Sequence, residues 1–95
     1  GCLFLTAIVE FDDKPGPARD FLVSNQKLWL NFISEAASLA IVEDHFQKDL
    51  DIELFTFEFH SIYQSYHYAS RLLNDPLAES RAWIMLDKLL ERSRG

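Results

Sequence analysis

One stretch, Asp51 to Asn74 (DIELFTFEFHSIYQSYHYASRLLN), restricts the possible folds more than any other part of the chain. Phe55, Phe59, Ile62, Tyr66, Ala69 and Leu73 recur at alternating steps of four and three, the spacing of one helix face. Phe57, His60, Gln64, Tyr68 and Leu72 mark a second face. A helix apolar over so much of its girth cannot lie on a surface. It must be covered on two sides, by its own domain and by something else.

The flanking segments read the same way. Gly1 to Phe11 (GCLFLTAIVEF) is expected to be a short buried helix, with a strand over Phe4 to Val9 as the alternative. Asp12 to Gly16 is a turn, and Pro17 stands where a first helical residue needs no N–H. Pro17 to Glu43 then predicts a long helix. Leu22, Trp29, Ile33, Ala37 and Ala40 form one stripe on it, and Phe21, Leu28, Phe32, Ala36 and Leu39 an adjacent one. Asp44 is expected in the left-handed cap position. Asp51 caps the central helix, with Leu50 and Phe55 placed for a hydrophobic staple. Asp75-Pro76 ends that helix and starts the last one, Pro76 to Arg92, followed by a tail of Ser93, Arg94 and Gly95. The expected fold class is all-α, with four helices.

Composition excludes several function classes. Ninety-five residues suffice for one small domain. The formal net charge of -6 and the scattered Lys and Arg leave no basic footprint for nucleic acid or an anionic membrane. No apolar run is long enough to span a bilayer. A single cysteine, Cys2, forbids an internal disulfide and fits a reducing, cytoplasmic setting. The chain opens within an apolar segment without Met, which reads as a piece of a longer protein.

Catalytic chemistry is not expected. His60 and His67 lie seven residues apart, about 10.5 Å along a helix, too far to share one metal ion. They read as packing or hydrogen-bonding residues, so neither metal nor cofactor is expected. Glu58, between two phenylalanines, is expected to face solvent or to pair with Arg19 or Arg71; a cavity carboxylate is the sharper alternative. Glu10 is similar. No phosphate loop or nucleophile–base motif occurs. The concentration of aromatics instead predicts a core joined to an interface, or an apolar cavity with a few orienting hydroxyls.

Three segments resemble a known family: GCLF at the start, AIVEFDDKPGPARD after it, and EDHFQKDLDIELFTFEFHSIYQSYHYASRLLNDP. They are similar to the C-terminal regulatory domain of TetR-type bacterial transcriptional regulators, over essentially the whole chain. The EFDDKPGP run and the H-F-x-x-D-L-D pattern from His45 to Asp51 are the most specific. The position of Asp44 is usually Gly in that family. The resemblance implies an N-terminal helix-turn-helix domain outside this chain, which would hold the contact with operator DNA. It also implies a homodimer, its last two helices pairing with those of a second copy as a dimeric four-helix bundle, and a small-molecule effector, which the aromatic residues suggest is apolar or aromatic. On that basis Phe55, Phe59, Ile62, Tyr66, Ala69, Leu73, Trp83, Met85 and Leu86 are the expected dimer interface. Leu22, Gln26, Trp29, Ile33, Phe57, His60 and Gln64 are the expected ligand contacts. A helical protein-interaction module with an aromatic groove is the alternative.

Overall fold

A computed structural model describes residues 15–95. The expected first helix and most of the turn after it lie outside them. The described residues are all-α, with three helices and no strand.

Helix α1 (Pro17–Val42) starts where Pro17 predicts, after Gly16 at φ 138°, a backbone conformation that disfavours any residue with a Cβ. It ends at a residue in the left-handed region, Asp44, at φ 62°. The His45 N–H reaches the Ala40 carbonyl at 2.8 Å and the Asp44 N–H reaches that of Ile41 at 3.1 Å. These are the two bonds that close a Schellman cap.

Helix α2 (Ile52–His67) is capped by Asp51, whose carboxylate accepts from the Leu54 N–H at 3.0 Å. Leu50 packs on the cluster that holds Phe55, as the staple requires. The expected helix to Asn74 does not stay α throughout: Tyr68–Leu72 is a π turn. There the Leu73 N–H reaches back five residues to the Tyr68 carbonyl. Asn74, at φ 49°, then terminates the helix.

Helix α3 (Ala78–Arg94) begins two residues later than Pro76 predicts. The Asp75 carboxylate accepts from the Leu77 N–H at 2.9 Å, and the Asp75 carbonyl accepts from the Ala78 N–H at 3.2 Å. This closed turn holds Pro76 and Leu77 outside the helix. The other Asp75 oxygen pairs with Arg81 at 3.0 Å. The helix also runs past its expected end. Ser93 is no tail residue: it is 1% exposed and donates to the Leu89 carbonyl. Gln47, in the α1–α2 loop, covers this end. Its backbone N–H bonds the Ser93 carbonyl and its side chain the Arg92 carbonyl.

The three helices lie side by side, with α2 packed against both α1 and α3. The shortest dimension of the fold is 15 Å, little more than the 10–12 Å or so of one helix. Ile33 and Ala37 from α1, Phe55 from α2 and Leu89 from α3 form the buried centre. Among the described residues, this single layer covers α2 on two sides and leaves both faces of the layer open. The second α1 stripe lies on such a face, with Leu28 67% and Phe32 64% exposed.

Candidate functional site

The α2–α3 side carries an apolar cleft of about 270 Å³. Phe59, Ile62, Tyr63 and Tyr66 line it from α2, and Glu79, Ala82, Trp83 and Leu86 from α3. Helical spacing explains the set: each group of four follows steps of one, three or four residues along one face. Glu79 is the only charged group in the lining, and no described residue bonds its carboxylate.

Five of the nine expected interface residues meet in this cleft: Phe59, Ile62, Tyr66, Trp83 and Leu86. Leu73 and Met85 stand outside it, each about half exposed, and Ala69 lies in the π turn. Phe55 sits beneath, in the chain's own core, where its ring meets Phe46 at 5.3 Å and Phe59 at 6.2 Å. The fold gathers these side chains because α2 turns its 59-62-66 face toward α3. Glu79 was not singled out by sequence, though its position four residues before Trp83 puts both on one face. Tyr63 joins the lining one residue after Ile62.

The expected ligand contacts do not converge in the same way. Leu22 and Ile33 are buried under α1, Phe57 is 70% exposed, and Gln26, His60 and Gln64 are half-buried. Trp29 is the informative member. Its ring stacks on Phe32 at 5.9 Å and tilts against Tyr63 at 5.6 Å. Its indole N–H is buried with no acceptor among the described residues. Tyr63 and Tyr66 in turn meet His67 edge-on at 4.4 and 5.3 Å. An aromatic chain therefore connects the α1 side of α2 to the cleft.

Burial lowers the pKa of His60, and burial and then nearby positive charge, including that of Arg71, lowers that of His67. Both histidines are therefore biased toward the neutral form. Glu58 pairs with neither Arg19 nor Arg71. It accepts from Arg92 at 2.7 Å, an exposed pair tying α2 to the end of α3. No group of three or more metal-ligating side chains occurs among the described residues, and no helix there is long and apolar enough to cross a membrane.

Residues 1–86 match the family described as tetracyclin repressor-like, C-terminal domain. Searches of curated proteins and of solved structures return no match.

Proposed function

Because the chain belongs to the tetracyclin repressor-like C-terminal domain family, we propose that it is the effector-binding and dimerisation part of a TetR-type transcriptional regulator. Operator contact falls to a helix-turn-helix domain outside this chain, and the regulator works in the cytoplasm. The observation that carries the dimer reading is the cleft: five of the expected interface residues are among the eight that line one apolar groove between the last two helices. The exposed apolar residues that the described layer presents favour such a cover. Ala69, Leu73 and Met85 extend the contact around the groove, and Phe55 supports it from below.

The effector reading rests on Trp29. A buried indole N–H without an acceptor is costly, and a ligand oxygen or nitrogen would relieve that cost. Gln26 lies one turn before Trp29. His60 and Gln64 continue the α2 face that begins at Thr56, whose hydroxyl bonds Ser34 of α1 at 2.8 Å. An apolar or aromatic molecule with one acceptor suits these groups. Such a ligand regulates by binding one arrangement of the dimer better than the other.

Sedimentation equilibrium of the chain tests the dimer, with a two-fold mass expected at tens of micromolar, a loose affinity by the standard of stable oligomers. A monomer at that concentration sinks the reading. The effector site is tested by screening apolar acceptors for quenching of Trp29 fluorescence in a Trp83→Phe background.

A further inference from the structure

We propose that Trp83 of a second copy completes the α2–α3 cleft, with its indole N–H donating to the Glu79 carboxylate. This rests on the dimer reading and names the side chain that fills the groove. Trp83 stands out among the large apolar residues of the groove wall, because 57% of it is exposed. An isologous two-fold contact asks for that combination. The same patch must serve as knob and hole, and each contact is made twice.

Size and chemistry select the occupant. The cleft, at about 270 Å³, has room for one bulky side chain. Its walls are aromatic and aliphatic apart from the carboxylate of Glu79, an exposed residue at the rim that is open to a donor from a second copy. An indole matches this lining: a flat apolar body with one N–H donor that needs a partner once buried. Leu72, Leu73, Leu77, Ile84 and Met85, also exposed around the last two helices, bring no side-chain donor for Glu79, and Tyr68, which has one, does not line the cleft. A cationic side chain would satisfy Glu79 but waste the apolar walls. Tryptophan is also the residue most enriched where truncation costs an interface most.

Sedimentation equilibrium and 19F NMR of the chain labelled with 5-fluorotryptophan test the proposal together. The label gives two resonances, and the one missing from Trp83→Phe belongs to Trp83. On dilution through the dissociation range the Trp83 resonance is expected to gain a solvent isotope shift, while that of Trp29 stays put. Trp83→Ala is expected to weaken dimerisation at least about 30-fold. Trp83→Phe and Glu79→Leu each weaken it less, and their combination is expected to be no weaker than the worse single variant, because both remove the same two symmetry-related hydrogen bonds. A wild-type dimer that Trp83→Ala changes less than three-fold overturns the Trp83 contact and leaves the dimer reading standing. Additive Trp83→Phe and Glu79→Leu effects overturn the hydrogen bond. A wild-type monomer overturns the dimer reading itself.

Discussion

At the scale of single residues, the pair Ser34–Thr56 shows how little polar chemistry the buried interior tolerates. Thr56 is 7% exposed and donates to its own helix at the Ile52 carbonyl, so the Ser34 hydroxyl donates to Thr56 across the α1–α2 contact. Thr56→Val keeps the shape but strands the serine hydroxyl, a loss of about 1–3 kcal/mol. Removing both hydroxyls, as Ser34→Ala/Thr56→Val, is expected to recover part of it. Urea denaturation of the three variants measures the non-additivity. The histidines make a second residue-scale prediction. His60 has a folded pKa below its ordinary 6.5, so the unfolded chain binds the proton more readily. The stability this group contributes is complete above about pH 6.5 and is lost as pH falls below that toward the folded pKa. The melting temperature should therefore drop on acidification through this window, with a slope under about one proton per histidine, and His60→Gln should flatten it.

Among the helices, the ends carry most of the specificity. Asp51→Ala removes a formed cap bond and is expected to cost about 0.5–2 kcal/mol. Asp44→Gly works in the opposite direction. At φ 62° the Asp44 Cβ is strained, and glycine relieves that at the cost of a looser unfolded chain. A net gain below about 1 kcal/mol is expected from thermal melts of the variant. Both of these ends were legible in the sequence, because Asp51 and Asp44 act on their immediate neighbours. The bounds of α1 were legible for the same reason, through Pro17. The π turn was not: widening the hydrogen bonds at Tyr68 leaves the apolar spacing of Ala69 and Leu73 unchanged. Nor was the late start of α3, where Asp75 closes a separate turn instead of capping the helix directly. Ser93 read as a tail because its burial depends on Gln47, 46 positions earlier in the chain. The same limit governs the candidate site. Spacing placed Phe59, Ile62 and Tyr66 on one face, but which α3 residues face them depends on how two helices cross.

Taken whole, the molecule is a thin layer with two different apolar surfaces, and they predict different behaviour. On one, Phe21, Leu28, Phe32 and Leu39 of α1 stand well exposed; on the other, the cleft gathers Trp83 with residues of α2. If the dimer forms through the cleft, its formation stabilises only the folded chain, and the melting temperature rises with protein concentration. Substitutions on the α1 stripe should leave that dependence intact. Leu28 and Leu39 are 67% and 59% exposed, so Leu28→Lys/Leu39→Lys removes apolar surface without opening the core. The double variant is expected to bind less of an environment-sensitive apolar dye and to change stability by no more than about 0.5 kcal/mol per site. Its melting temperature should climb with concentration as steeply as that of the unmodified chain. Calorimetry over a hundred-fold concentration range separates the two surfaces. A curve flattened by the α1 substitutions would move the two-fold contact from the cleft to the α1 stripe.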